Sequence, residues 1–280
     1  MKAAAFEYQR ASSAREALEL LHSYAGQAKL IAGSQSLGPM LNLRLARPAH
    51  LIDISGCEDL RGVQLQERTI RVGACITHAE IEDGLFESLR AHPLQQVASR
   101  IAYRAIRNRG TLGGSLAHAD PAADWVLTAM ALNAEIEIIS AAGVRRVPMK
   151  QFMLAAYTTV LADKELIAAI HFPVFSGQAR WGYYKFCRKT GEFAEASCAV
   201  YFEPETLTAR VVVGALDAAP ADLPEIAQRV ASGGLATLTL ADIMTALEAV
   251  TPNKDLIDRR LYANAVLRSI EFAFGSVEAA

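Results

Sequence analysis

The stretch spanning residues 107–124 places three glycines, two hydroxyl residues and two aspartates between two apolar segments of the chain. The glycines are Gly110, Gly113 and Gly114. Because glycine has no Cβ, the backbone there can adopt positive φ and approach a bound group closely. This composition predicts a ligand-binding loop rather than a core segment. A tight turn capped by Asp120 is the alternative that the stretch alone leaves open.

A helix is predicted directly after this loop, over residues 121–132. Pro121 suits the first helical position, because its missing N–H would have no partner there anyway. The segment is apolar on most sides and is expected to be buried. Its N-terminus would point back at the glycine loop, where free N–H groups and the positive end of the dipole favour an anion.

A second glycine loop, residues 32–39, reads Ala-Gly-Ser-Gln-Ser-Leu-Gly-Pro and follows a short β-like run. Successive N–H groups in such a turn can form a concave anion-binding nest. The loop is not a P-loop, because Pro39 and Met40 stand where Lys and Ser or Thr are required. A nucleophile elbow would need glycine at Ser34, and it would leave the longer stretch unexplained. Neither loop has the Gly-x-Gly-x-x-Gly of a dinucleotide-binding βαβ unit.

Together these motifs resemble the FAD-binding medium subunit of molybdenum hydroxylases, the enzymes related to xanthine dehydrogenase and carbon monoxide dehydrogenase. The resemblance rests on Ala32-Gly-Ser-Gln-Ser-Leu37, Leu43-Arg-Leu45, Leu51-Ile-Asp-Ile54 and the run from Ile106 to Asp124. It covers essentially the whole chain, and two long motifs in the right order at about the right separation make it specific.

The resemblance implies that an extended FAD lies across two N-terminal subdomains, with both glycine loops on its diphosphate and ribityl chain. By position, Asp124 would accept from ribityl hydroxyls, Ile101 would lie near the adenine, Leu161 beside the isoalloxazine and Lys185 near the ring's polar edge. The expected cofactor-binding residues are Ala32, Gly33, Ser34, Gln35, Ser36, Leu37, Ile101, Gly110, Thr111, Gly114, Ser115, Ala117, Asp124, Leu161 and Lys185. No catalytic residue and no metal ligand is expected, because the chemistry belongs to the flavin.

Two positions depart from the family pattern. Most relatives have glycine where Ser34 stands, and if φ is positive there, serine costs about 1–2 kcal/mol. A hydroxyl contact to phosphate would offset that cost. The second position is Phe193, which either covers one face of the flavin and gates an electron acceptor or packs in the core.

The predicted fold class is α+β. An FAD-binding domain of PCMH type, residues 1–175 with α/β subdomains at about 1–55 and 56–175, would precede a C-terminal domain, residues 176–280, of antiparallel sheet packed with helices. Strands followed by helices after residue 176 support that layer.

In the first domain, helices are predicted at 13–25, 39–46, from 77, 93–103 and 121–132, and strands at 28–31, 51–54, 63–65, 70–76, 135–139, 144–149 and 165–172. In the second domain, strands are predicted at 181–188, 197–202 and 209–216, and helices at 223–231, 241–250 and 258–274.

Composition excludes several other classes. The net charge of -2 and pI near 6.3 give no basic surface for nucleic acid or anionic membrane. The four cysteines lie far apart without a Cys-x-x-Cys, so neither a zinc nor an iron–sulfur site can be built from them. No secretory signal or long apolar run is visible. We therefore expect a cytoplasmic protein without membrane insertion.

The expected function is that of an FAD-carrying electron-transfer subunit. The resemblance implies a small partner subunit with two [2Fe–2S] clusters and a large molybdopterin subunit, assembled as a dimer of heterotrimers. Electrons would pass from the clusters to an external acceptor. One alternative is a self-sufficient FAD-dependent oxidoreductase of the same fold, although the chain has little length for a substrate domain. The other is a non-redox nucleotide-binding or scaffolding module, against which the intact second motif argues.

Overall fold

A computed structural model describes residues 2–275 of the chain, apart from the side chains of Leu235 and Thr237. The chain forms two compact units. One consists of Met1–Ala119 with Ala134–Pro173, and the other of Asp120–Asn133 with the chain from Val174 onward. Residues 120–133, which the sequence analysis places in the first domain, therefore pack with the second unit.

Strands and helices are numbered along the chain. The strands are β1 (Glu7–Arg10), β2 (Ala28–Ile31), β3 (His50–Asp53), β4 (Val63–Leu65), β5 (Thr69–Gly73), β6 (Glu135–Ser140), β7 (Gly143–Pro148), β8 (Met153–Ala155), β9 (Thr158–Thr159), β10 (Leu166–Pro173), β11 (Arg180–Phe186), β12 (Ala196–Glu203), β13 (Thr208–Gly214) and β14 (Ala221–Asp222). The helices are α1 (Ala14–Ser23), α2 (Leu37–Asn42), α3 (His78–Glu82), α4 (Pro93–Ser99), α5 (Arg104–Arg107), α6 (Leu112–His118), α7 (Asp124–Ala131), α8 (Met149–Phe152), α9 (Pro224–Gly233), α10 (Leu240–Glu248) and α11 (Leu256–Phe274).

The first unit begins with a three-stranded parallel sheet in the order β1-β3-β2. Helix α1 covers it, and buried Ala17 and Leu21 join Ile52 in one apolar core. Ser13 caps α1, since its side chain accepts from the N–H of Glu16. The Glu16 carboxylate accepts from the N–H and hydroxyl of Ser12 rather than from the N–H of Ser13, so the cap is not a reciprocal capping box.

A five-stranded antiparallel sheet follows in the same unit, in the order β4-β5-β10-β6-β7. Its central strand β10 is buried along nearly its whole length, which explains its continuous apolar sequence. Thr77 and Glu80 form the reciprocal capping box that starts α3. The helix predicted at 93–103 ends earlier than expected: α4 stops at Ser99, Ala102 is left-handed, and α5 starts only at Arg104.

The second unit is an antiparallel sheet, β11-β12-β13-β14, packed against helices. Helix α11 lies against β11 and β12 with Tyr262, Val266 and Ile270 buried. The contact is backbone to backbone at Gly182, where an ideal Cβ would lie only 1.8 Å from the carbonyl oxygen of Ser269. A side chain at position 182 would therefore hold the helix away from the sheet.

The α+β fold class is confirmed by these sheets and helices. The strands and helices predicted after residue 176 lie within a few residues of their predicted limits, whereas the short strand β14 was not predicted. Within residues 2–275, no helix combines the length and the apolar character that crossing a membrane requires.

Candidate functional site

The two glycine loops predicted from the sequence are in direct contact. An ideal Cβ on Gly33 would lie 2.0 Å from the carbonyl oxygen of Arg109 and 2.8 Å from the Cα of Gly110. No side chain fits in that space, since real Cβ atoms do not approach other heavy atoms within about 3 Å. Gly33 therefore allows the backbone of one loop to rest on the backbone of the other.

The first loop, which we define as residues 32–36, turns sharply between β2 and α2. Ser34 adopts a left-handed conformation with φ of 62°, so the condition under which serine is costly at this position is met. Its carbonyl accepts from the N–H of Gly38 at 3.0 Å. The side-chain amide of Gln35 folds back and donates to the carbonyl of Gly33 at 2.9 Å. These two bonds hold the turn closed at the end of β2.

The backbone N–H groups of the first loop are available to bind a ligand. Those of Gly33, Ser34, Gln35 and Ser36 donate to no acceptor within residues 2–275. Gly33 is buried, and the other three residues are half-buried. A run of backbone donors in a turn that includes a left-handed residue is the arrangement that binds anions, because several partial positive charges converge.

The second loop, which we define as residues 110–115, uses its backbone differently. Thr111 caps α6, because its hydroxyl accepts from the N–H of Gly114. The N–H groups of Leu112, Gly113 and Ser115 donate to the carbonyls of Ile76, Ala74 and Thr111. Most N–H groups of the second loop therefore have acceptors within the protein, unlike those of the first loop within residues 2–275.

Close packing explains two glycines of the second loop. A Cβ on Gly113 would lie 2.4 Å from the Cβ of Ala74. A Cβ on Gly110 would lie 2.7 Å from Nε2 of His78, a buried histidine. Burial, together with the smaller effect of the neighbouring Arg107, lowers the pKa of His78 to about 3, so the imidazole is neutral around pH 7. The second loop thus rests on apolar and uncharged groups.

The helix predicted over residues 121–132 must be corrected. The helix that begins in the glycine stretch is α6, which starts after Thr111 and ends at left-handed Ala119. The next helix, α7, starts at Asp124 after Ala123, three residues later than predicted, so Pro121 is not its first residue. Residues 120–123 form a turn instead, because Oδ1 and the carbonyl oxygen of Asp120 accept from the N–H groups of Ala122 and Ala123. Helix α6 was not predicted, because two adjacent glycines are poor helix formers.

Arg107 holds the turn at residues 101–102, upstream of the second loop, and this role was not predicted from the sequence. Its guanidinium makes two bonds to the carboxylate of Glu82, at 2.7 and 2.8 Å. It also donates to the carbonyls of Ile101 and Ala102. A bidentate arginine is a geometrically specific clamp. This clamp fixes the strained turn that carries Ile101, a predicted adenine-side residue.

Two predicted site residues of the second unit form an ion pair with one another. Lys185 Nζ lies 2.8 Å from Oδ1 of Asp124, and both side chains are less than a tenth exposed. The hydroxyl of buried Tyr183 also donates to that same oxygen in a short hydrogen bond. Within residues 2–275, no donor reaches Oδ2 of Asp124.

Tyr183 was not predicted as a site residue, although a signal for it exists. Alternation along β11 places Trp181, Tyr183 and Lys185 on one face of the sheet. A residue on the same face as a predicted ligand-binding lysine is a candidate to contact the same groups. The alternation along the strand predicted at 181–188 could therefore have identified Tyr183 as a site residue.

The remaining predicted residues lie at the following places. Leu37 opens α2, and Ala117 lies exposed on α6. Leu161 is half-buried after β9, with its N–H donating to Thr159 Oγ1. Phe193 is 61% exposed in the β11–β12 loop, so its interpretation as a core aromatic is wrong.

The described residues contain no cluster of His, Cys, Asp and Glu arranged to hold a metal ion. All four cysteines are free, and burial raises the pKa of Cys75 and Cys198 to about 12. What the site offers is therefore a glycine-lined cradle with convergent backbone donors. Such a cradle fits a phosphate-bearing dinucleotide, because backbone N–H groups stabilise a diphosphate without burying an unpaired cation.

Comparison with known proteins shows the family of the chain. Residues 4–175 match the family described as the FAD binding domain in molybdopterin dehydrogenase. The carbon monoxide dehydrogenase medium chain of Hydrogenophaga pseudoflava is 38% identical over 195 residues, which are 70% of this chain and 68% of that one. The nicotine 6-hydroxylase medium subunit of Paenarthrobacter nicotinovorans is 38% identical over 202 residues, 71% of this chain and 70% of the relative.

A solved structure is similar along the whole chain. The reconstituted carbon monoxide dehydrogenase from Oligotropha carboxidovorans superposes with a TM-score of 0.90 at 27% identity, and the match covers 98% of this chain and 99% of that one. Fold and site together define an FAD-binding oxidoreductase subunit. The chain belongs to the FAD-binding medium subunits of the molybdenum hydroxylases, and FAD is its cofactor. Its similar relatives are medium subunits of multi-subunit complexes.

Proposed function

We propose that the chain is the electron-transfer subunit of a molybdenum hydroxylase complex. It would receive electrons from [2Fe–2S] clusters of a small subunit and pass them to an external acceptor, while a large molybdopterin subunit oxidises the substrate. The observation that carries the proposal is the contact between the two glycine loops, with four backbone N–H groups of the first loop that have no acceptor in the described part of the chain.

The first loop, residues 32–36, is proposed to bind the diphosphate of FAD through its backbone N–H groups. Gly110, Thr111, Gly114 and Ser115 would line the same diphosphate from the second loop. This assignment agrees with a turn that is held closed by its own hydrogen bonds, because preorganised donors bind an anion without reordering the chain. Leu37 and Ala117, at the start of α2 and on α6, complete the proposed contacts of the two loops.

Asp124 is proposed to accept a hydrogen bond from a ribityl hydroxyl. Lys185 and Tyr183 both bind Oδ1, which leaves the lone pairs of Oδ2 for an incoming donor. The ion pair would hold the carboxylate in one rotamer, so the acceptor is oriented before the ligand arrives. Ile101 at the adenine end, Leu161 beside the isoalloxazine and Lys185 near the ring's polar edge are carried over by position alone.

When bound, FAD would supply the electron exchange. The chain's residues bind the cofactor, orient it and exclude water.

Iron–sulfur clusters belong on a partner in this proposal, because the described cysteines are dispersed and mostly buried. We infer an assembly of small, medium and large subunits, a dimer of heterotrimers, in the cytoplasm. The substrate stays open, since the similar relatives are named for chemically different compounds, carbon monoxide and nicotine.

The first test is the visible absorption spectrum of the purified full-length chain, followed by chromatography of the compound that heat or acid releases. We expect a flavin spectrum and FAD, rather than FMN, in the released fraction. A colourless protein that also fails to take up added FAD, alone or with its partners, contradicts the proposal. FMN is the matched control ligand, because it keeps the flavin and one phosphate but lacks the diphosphate.

The second test addresses the partners. The tagged chain, purified from its native cells, is expected to bring down two further polypeptides together with iron and molybdenum. The chain alone, loaded with FAD, is expected to oxidise neither N-heterocycles nor aldehydes. Substrate oxidation by the isolated chain would instead support a self-sufficient oxidoreductase.

A further inference from the structure

Ser34 stands at a left-handed position inside the first loop, with φ of 62°. A left-handed backbone alone does not mark a functional residue in this chain, because alanine occupies the same region elsewhere. The alanines with positive φ are Ala25, Ala91, Ala102, Ala119 and Ala215. What distinguishes Ser34 is the surroundings of its hydroxyl.

The hydroxyl of Ser34 lies in a space that Gly38 leaves open. An ideal Cβ on Gly38 would lie 2.7 Å from Ser34 Oγ but 3.8 Å from Ser34 Cβ. The missing side chain at position 38 therefore accommodates the oxygen specifically, since a methyl group at position 34 would be in ordinary contact. The serine rotamer and the glycine are matched to one another.

The same hydroxyl has no hydrogen-bond partner within residues 2–275. Ser34 is half-buried and is flanked by residues whose N–H groups likewise donate to no protein acceptor. A serine hydroxyl rotates freely and can donate to whatever acceptor arrives. It is thus one more donor within the turn that carries four unoccupied backbone donors.

We propose that the Ser34 hydroxyl donates a hydrogen bond to the diphosphate of FAD, and that Gly38 keeps the hydroxyl in the rotamer that does so. This inference rests on the proposed function and deepens it by adding a side-chain donor to the backbone donors. An O–H donor to an ionised phosphate oxygen is charge-assisted and stronger than a neutral bond. Ser34 would then add to the affinity for FAD a hydrogen bond that glycine at this position could not make.

The test compares three variants of the full-length chain with the wild type: Ser34→Ala, Gly38→Ala and the double variant. Ser34→Ala removes the hydroxyl and keeps an L-residue at positive φ, so the cofactor-free stability should stay near the wild type. Gly38→Ala keeps the hydroxyl but displaces it to another rotamer. Alanine is also favourable within a helix, so this change should not unfold α2.

The readouts are the dissociation constant for FAD, from titration of cofactor-free protein, and the melting temperature without FAD. We expect Ser34→Ala and Gly38→Ala each to bind FAD about tenfold more weakly, which is the size of a hydrogen bond to a charged group. The double variant should be no weaker than Ser34→Ala, because both changes remove the same bond.

Unchanged FAD affinity in Ser34→Ala overturns the inference. Additive losses in the double variant overturn the role given to Gly38, since its effect would then not pass through the hydroxyl. A wild-type chain that binds no FAD overturns the proposed function itself, so the two failures are distinguishable. Riboflavin binding, which involves no phosphate, should be the same in all four proteins.

Discussion

The carbonyl oxygen of Arg109 occupies the place where a side chain at Gly33 would begin, 2.0 Å from the position of an ideal Cβ. Gly33→Ala must therefore separate the two loops, because neither backbone can rotate away. Overpacking of this kind lowers the free energy of unfolding by about 1–3 kcal/mol. Thermal unfolding of the cofactor-free chain measures this effect, and FAD affinity should fall with it.

Gly38→Ala is the matched control for that change, since it lies in the same part of the chain. Its nearest obstacle is the movable hydroxyl of Ser34 rather than backbone. We expect no loss of thermal stability there. Equal losses in Gly33→Ala and Gly38→Ala would show that the contact between loops does not determine stability.

The ion pair between Lys185 and Asp124 gives a second prediction. Among the described residues, Lys185→Met leaves Tyr183 as the one side-chain donor to a carboxylate that is 7% exposed. Removing one partner of a buried pair costs about 3 kcal/mol or more, because the remaining charge loses its compensation. Urea unfolding of the cofactor-free chain, followed by circular dichroism, should show this destabilisation.

Lys189→Met serves as the control on the same segment, because Lys189 is exposed. Its effect should lie within about 0.5 kcal/mol of the wild type. If Lys185→Met proves equally mild, the pair is not buried in solution as the structure has it.

Gly182 sets the distance between α11 and the sheet of the second unit. Gly182→Ala would place a methyl group 1.8 Å from the Ser269 carbonyl oxygen and 2.8 Å from the Ala273 nitrogen. We expect a loss of about 3 kcal/mol or more, since both obstacles are helix backbone. Gly177→Ala is the control, because nothing lies within 4 Å of its ideal Cβ and its φ is not positive. Similar melting temperatures for the two variants would contradict the packing described.

Stability should depend on pH through His92, whose pKa burial lowers to about 4 from its ordinary 6.5. Between these values the unfolded chain binds a proton that the folded chain does not, so the free energy of unfolding falls as the pH falls. His92→Asn removes this titration and retains a side chain that can cap α4, where His92 now accepts from Leu94.

The measurement is the free energy of unfolding from pH 7 down to pH 4, in both proteins. The slope in His92→Asn should be shallower by up to about 1.4 kcal/mol per pH unit. Buried His78 stays in both proteins and keeps part of the slope. Identical slopes would show that folding does not keep His92 neutral.

Sequence patterns anticipated the elements whose burial alternates. The strand predicted at 135–139 is Glu135–Ser140, in which Ile136 and Ile138 are buried, and the helix predicted at 258–274 is Leu256–Phe274. Both carry apolar residues at the period of their structure, which a sequence displays directly. The two glycine loops were found because glycine clusters mark close backbone approach, and Gly33 against Gly110 is such an approach.

Other features depend on partners distant in sequence and were missed. Strand β1, Glu7–Arg10, is exposed at all four residues, so only its hydrogen bonds to β3 define it. The bond from Tyr183 to Asp124 joins residues 59 positions apart, and no local pattern encodes it. Cofactor contacts of individual residues such as Ile101 and Leu161 stay predictions, because they rest on position alone.

Helix α7 is buried at all eight of its residues, and the strands that cover it, β12 and β13, are encoded much later. During synthesis the ribosome must add residues 132–195 before the first of these strands begins to emerge. At ordinary elongation rates of about 5–20 residues per second, the apolar surface of α7 is without its partner strands for roughly 3–13 seconds. A nascent chain arrested before β12 should therefore bind chaperones, and a gene truncated after residue 173 should yield an aggregating product.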